Sequence, residues 1–216
     1  MRERSALVLG TILAGAMLGI GAGQPGSQVA SAPASESHDG ITITAQPWTE
    51  PTSYRAKFPK KNPLSGGIVA IHITILNNSP ETLRVNLDRI RLVVTLGEDS
   101  RQNLPPLSSE DVADVVLRSK PRDTTRSRVR IPIPLGKSKA SRNKEWIEFE
   151  QAARDAGIPS SVIAGRSKLQ GLLYFDLANQ FDLVRTARLY VPEVTLLEKG
   201  KSLLYFDIDL AKSAAM

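Results

Sequence analysis

The sequence predicts a mainly β chain folded as a sandwich of antiparallel sheets. Three observations carry this. At least seven runs between Ile41 and Ile208 alternate apolar with polar side chains at a period of two, and turn residues punctuate them. The alternation lapses between Gly97 and Gly165, where two helical patterns and a basic cluster intrude. No cysteine is present, so the fold has to be held by its core and not by disulfides or a cysteine-ligated metal.

Ile41, Ile43 and Ala45 alternate with Thr42 and Thr44 and predict a first strand, ended by Pro47. A polar loop follows from Trp48 to Gly67, and its Tyr54 and Phe58, set among Arg55, Lys57, Lys60 and Lys61, are expected to pack back onto the domain. The strongest alternation spans Ile68 to Leu76, with Val69, Ile71, Ile73 and Ile75 on one face and Ala70, His72 and Thr74 on the other. Asn77-Asn78-Ser79-Pro80 supplies a turn. Leu83, Val85 and Leu87 form the next apolar face. After a phase break at Asp88-Arg89 the face resumes as Ile90, Leu92, Val94 and Leu96, the mark of a bulge or of a corner where a strand changes sheets.

The stretch from about 98 to 165 reads as an insertion. Ser108 to Leu117 has helical spacing in Val112, Val115 and Val116 behind a serine and acidic start. A second helix is predicted from Asn143 to Ala156, with Trp146, Phe149 and Ala153 on one face and Gly157 as its stop. Between them Val129, Ile131, Ile133 and Leu135 alternate with Arg128, Arg130, Pro132 and Pro134, and the prolines confine that strand to a sheet edge.

The carboxyl-terminal third returns to β. Leu172-Leu173-Tyr174-Phe175-Asp176-Leu177 recurs as Leu203-Leu204-Tyr205-Phe206-Asp207-Ile208, with Leu189 to Leu197 between them. Both copies are expected to be central strands of a meander that turns at Lys199-Gly200. The strand count is that of an immunoglobulin-like sandwich.

Two blocks, 68–96 and 164–191, add a likeness. Ile73-Thr74-Ile75-Leu76 runs into Asn77-Asn78-Ser79-Pro80-Glu81, and Ala164-Gly165 precedes Gly171-Leu172-Leu173-Tyr174-Phe175-Asp176. This pattern resembles the secreted bacterial immunoglobulin-like domains of the immunoprotective extracellular antigen type. The resemblance implies a fold and an extracytoplasmic location. It implies no reaction, because that family has no common catalytic apparatus, and the basic, partly helical insertion is not part of its pattern.

The amino terminus carries Arg2 and Arg4 and then no charge from Ser5 to Ser35, with a nearly wholly apolar stretch from Ala6 to Ile20. This is the n-region and h-region of a signal peptide over 1–34, and Ala32-Pro33-Ala34 offers a cut before Ser35, with Ala22 as an earlier site. If uncleaved, Ala6 to Gly23 would serve as a membrane anchor. Residues 35–40 are expected to be a flexible tail, and 41–212 a single immunoglobulin-like domain with its insertion at about 98–165. The chain has 28 Lys and Arg against 22 acids, and removal of 1–34 leaves 26 against 21, or +5. That balance favours anionic partners without identifying one.

Catalytic signatures are sparse. The two histidines, His38 in the expected tail and His72 in a strand, fit structural roles, and no G-x-S-x-G or P-loop motif occurs. Past the leader the only methionine is Met216. Asp207 and Asp209, with Asp176 or Asp182, are an oxygen-ligand set for calcium, weighed against a solvated strand face. The chain is therefore expected to be neither an enzyme nor a cofactor or metal protein, and to act as an exported interaction or accessory module in the cell envelope. Ten cations lie between Arg118 and Lys144 against one acid, Asp123. Arg126, Arg128 and Arg130 at strand period, with Lys137 and Lys139, form the candidate anion-binding residues. Their partners would be an envelope protein, anionic lipid headgroups or anionic polysaccharide, and no nucleic acid is expected. The competing role for these arginines is protection of a sheet edge from pairing.

Overall fold

The computed structural model describes residues 33–97, 100–117 and 143–214. Twelve strands lie in these residues: β1 Ala34–His38, β2 Ile41–Trp48, β3 Ile68–Asn77, β4 Leu83–Val85, β5 Arg91–Thr95, β6 Arg101–Leu104, β7 Val162–Ile163, β8 Ser167–Asp176, β9 Arg188–Val191, β10 Val194–Leu196, β11 Lys201–Ser202 and β12 Phe206–Asp209. Four α-helices accompany them: α1 Pro51–Tyr54, α2 Ser109–Val116, α3 Lys144–Ala156 and α4 Ala211–Ala214. All strand pairings are antiparallel and form three sheets, in the orders β1-β2-β3-β8, β11-β10-β4-β7 and β12-β9-β5-β6.

The two smaller sheets are halves of one bent layer. Three chain segments pass from one to the other: β4 to β5 through a 3₁₀ turn at Leu87–Arg89, β9 to β10 through Pro192-Glu193, and β11 to β12 through Leu203–Tyr205. The phase break at Asp88-Arg89 is thus a corner where the strand changes sheets. At the second corner Pro192 has no N–H for the ladder and Glu193 takes φ 53°, so the pairing stops there. The larger sheet faces this bent layer, and one aliphatic core joins all three sheets through Ile41, Ile43, Ile71, Ile73, Leu92 and Val194. Ile71 and Ile73 are both essentially unexposed, as the alternation of β3 predicts.

The opposite face of the larger sheet carries a second cluster. Ile68, Ala70, Leu172 and Tyr174 from β3 and β8 meet Tyr54, Phe58, Val112, Trp146 and Phe149. The helices that bring these residues begin where their caps dictate: the Ser108 side chain accepts from the Asp111 N–H, and the Asn143 side chain from the Trp146 N–H. Tyr54 and Phe58 are buried, so the rings of the 48–67 loop do pack onto the domain. Gly171 lets the end of α3 cross β8, because a Cβ there would sit 2.5 Å from the Gly157 carbonyl oxygen.

Several expectations are corrected. Residues 35–40 are not a flexible tail: Ala34–His38 is β1, paired along its length with β2, and Asp39-Gly40 is the turn between them. Polar residues suffice there because β1 borrows its order from the edge of β2 and from β12, where Glu36 accepts the Asp207 N–H and the His38 ring stacks on Phe206 at 3.8 Å. The 98–165 stretch is less of an insertion than expected, since its ends are strands, β6 paired with β5 and β7 with β4. Pro47 does not end its strand; it pairs with Ile71 beyond the last β1 partner, Ala45, so its missing N–H costs no described ladder bond. The repeated hexapeptides are not two central strands. Leu172–Asp176 belongs to β8 at the end of its sheet order, while Leu203–Tyr205 is an irregular crossing between sheets with Leu204 exposed. The stretch Leu189 to Leu197 divides likewise into β9 and β10. The Lys199-Gly200 turn is as expected, with Gly200 at φ 58°.

Candidate functional site

The expected anion-binding residues Arg126, Arg128, Arg130, Lys137 and Lys139 lie outside the described residues, as does the strand expected over 128–135. Lys144, the last cation of that run, is described and sits 3.7 Å from Glu148 on α3. Lys60 and Lys61 of the 48–67 loop pair with Glu148 and Glu145 at 3.0 Å each. The Lys60 hydrogen bond holds the Glu148 carboxyl below its usual range, but both side chains are exposed and solvent screens the pair.

Both histidines are placed. His72 lies half-buried on the outer face of β3, its ring parallel to Trp48 at 5.9 Å. Burial, and then the charge of Lys168, lowers its tendency to protonate. His38 offers Nδ1 to Asp39 and Nε2 to the Tyr205 carbonyl, at 3.1 and 3.3 Å, which ties β1 to the crossing before β12. Each has a structural environment, as the strand setting of His72 implied.

The acidic set is not brought together as a metal cage. Asp207 receives the Arg188 Nε at 2.9 and 3.0 Å, and Asp209 lies 3.6 Å from the same guanidinium. Asp176 instead accepts the Ala178 N–H, and Asp182 is exposed on a separate 3₁₀ segment, Phe181–Thr186. Among the described residues no group of three or more histidines, cysteines or carboxylates is placed to hold a metal. Glu36, Arg188, Asp207, Asp209 and Lys212 line only a small hollow of about 270 Å³.

A larger concavity lies on the outer face of the β11-β10-β4-β7 sheet, with a volume of about 660 Å³. Cross-strand register puts Ser202, Thr195 and Arg84 in one row on its floor. The segment Ile158 to Ser161 forms a wall and is fastened by the Val85 N–H donating to the Ser161 carbonyl at 2.9 Å. Asn86, Asp88 and Glu193 close one end, at the corner where the chain leaves the sheet. Glu193 is already engaged: the Asn86 amide donates to it at 2.7 Å and the Arg89 Nε lies 3.5 Å away. The Ser160 hydroxyl is tied to Val162. By contrast, the side chains of Arg84, Asp88, Ser161, Thr195 and Ser202 have no hydrogen-bond or ion-pair partner among the described residues. Besides the engaged Glu193 and Ser160, the cleft therefore presents one unpaired cation, one unpaired anion and three unpaired hydroxyls to whatever enters it.

Sequence reasoning did not find this site. Its members come from four separate segments and carry no motif; the nearest signal was the phase break at Asp88-Arg89, which marked the corner and not the cleft. No family model and no curated protein matches the chain. Among solved structures it is similar to a functionally unknown protein from Listeria monocytogenes EGD-e, at 15% identity over 76% of this chain and 71% of that chain, with a TM-score of 0.35.

Proposed function

We propose that the protein is exported and acts outside the cytoplasm as a non-enzymatic, immunoglobulin-like binding module of the cell envelope. The charged start and apolar run of the first 34 residues support export. Ala34 is buried in β1, so a cut at the earlier Ala22 is the one that retains the strand whole. The observation that carries the binding role is the 660 Å³ cleft, whose lining offers unpaired hydroxyls and single charges and includes no histidine. Such a lining suits recognition, because its unpaired hydroxyls and single charges are free to pair with the polar groups of a ligand.

Two experiments test this reading. Residues 1–40 fused to a reporter active only after export should yield activity, and a silent fusion would reject export. The purified chain should be retained on isolated cell envelopes, and Thr195→Trp, which fills the cleft floor, should abolish retention without unfolding the protein. Undiminished retention by that variant would remove the cleft from the function. A second reading rests on the ten cations between Arg118 and Lys144: binding to anionic lipid or polysaccharide through Arg126, Arg128 and Arg130. It predicts retention that falls steeply with salt and is lost when these three arginines become serine.

A further inference from the structure

The identity of the free groups in the cleft narrows its ligand. Arg84 lies on β4 in register with Thr195, and Asp88 lies four residues on, inside the 3₁₀ turn. Two residues of strand and two of 3₁₀ helix separate them by roughly 10 Å along the chain. Both side chains are exposed. The third charged lining group, Glu193, accepts from the Asn86 amide and is paired with Arg89, which leaves Arg84 and Asp88 as the unpaired charges. An anion would meet Arg84 but be repelled by the acidic end. A cation would meet the reverse, and a neutral ligand would leave both charges unused.

We infer that the cleft binds short zwitterionic peptides, with the terminal carboxylate on Arg84 and the terminal ammonium on Asp88. The inference rests on the binding-module reading above and specifies its ligand. A guanidinium matches a carboxylate with two parallel N–H donors. Three extended residues span roughly 10 Å between their ends, comparable to the length of backbone from Arg84 to Asp88. Thr195 and Ser202 continue the cross-strand row that starts at Arg84, and Ser161 stands on the wall beside Val85, so their hydroxyls flank the Arg84 end, where they can donate to peptide carbonyls or accept from peptide N–H groups.

The test uses the whole exported chain and trialanine, alongside its N-acetylated and C-amidated forms and the neutral sugar maltotriose, followed by the amide NMR signals of Ser161, Thr195 and Ser202. Trialanine should shift these signals, and each blocked form should bind about tenfold more weakly. Arg84→Gln should weaken trialanine about tenfold but add little for the C-amidated form, and Asp88→Asn should do the same for the N-acetylated form. Equal binding of blocked and free peptides would overturn the inference. So would shifts produced by maltotriose alone, although the cleft would then remain a binding site of a different kind. If no probe moves these signals, both the peptide ligand and the cleft-based function fail together. Both substituted side chains are exposed, so the variants retain the fold and the comparison stays interpretable.

Discussion

The two faces of β3 are built on different principles. On one, Val69, Ile71, Ile73 and Ile75 enter an aliphatic core that needs no polar contact to be complete. On the other, Ile68 and Ala70 meet Tyr54, Trp146 and Tyr174, whose polar tips are all bonded. The Tyr54 hydroxyl donates to the Trp48 carbonyl at 2.7 Å and accepts the Ala70 N–H at 2.9 Å. The Tyr174 hydroxyl donates to Ala153, and the Trp146 indole to Asp114. Glu150, also buried there, receives the Ser109 hydroxyl and the Arg154 guanidinium. The aliphatic face gains from area alone, whereas the aromatic face holds only if each polar group reaches its partner.

Substitutions separate the two. The largest effect should follow Ile73→Ala, which opens a cavity between the sheets and should cost about 2 to 5 kcal/mol in denaturant unfolding. A loss below about 0.5 kcal/mol would mean that the aliphatic face is not the main core. Tyr54→Phe should cost less, about 1 to 3 kcal/mol, despite keeping nearly all the ring contact, because it strands the Ala70 N–H and the Trp48 carbonyl. No loss would show that packing, and not the hydroxyl, holds the second cluster.

The same tyrosines set a pH response. Burial is the main cause that raises Tyr54 and Tyr174 far above the ordinary value of 10.0, so the folded chain holds these protons more tightly than the unfolded one. Their contribution is complete below the ordinary value and is lost as pH climbs beyond it. Melting followed from pH 8 to 11 should therefore show a fall in Tm at the alkaline end that is shallower in Tyr54→Phe. The smallest effect belongs to Lys60→Ala, which removes only an exposed ion pair to α3 and should leave the melting curve unchanged.

How far the sequence reached follows the same division. The aliphatic strands were legible because period-two alternation is a local property, and β3 matched it side chain by side chain. The two helix starts were legible because Ser108 and Asn143 satisfy N–H groups within three residues of themselves. The strand β1 was not legible, since Ala-Ser-Glu-Ser-His has no apolar face and its partners, β2 and Asp207, are supplied from elsewhere. The hexapeptide repeat misled for a related reason: near-identical residues form a continuous strand at 172–176 and a sheet-to-sheet crossing at 203–205, so context overrode β-propensity.

The sequence by itself determined the mainly β class, the facing of the long strands and the ends of the helices, because each depends on residues close together in the chain. Only the tertiary structure decided which sheet each strand joins, where three of them bend across the second layer, and that Arg84, Asp88, Ser161, Thr195 and Ser202 line one cleft. Those are outcomes of strand pairing across as many as 113 positions, from Leu83 to Leu196, and no local period or cap encodes them.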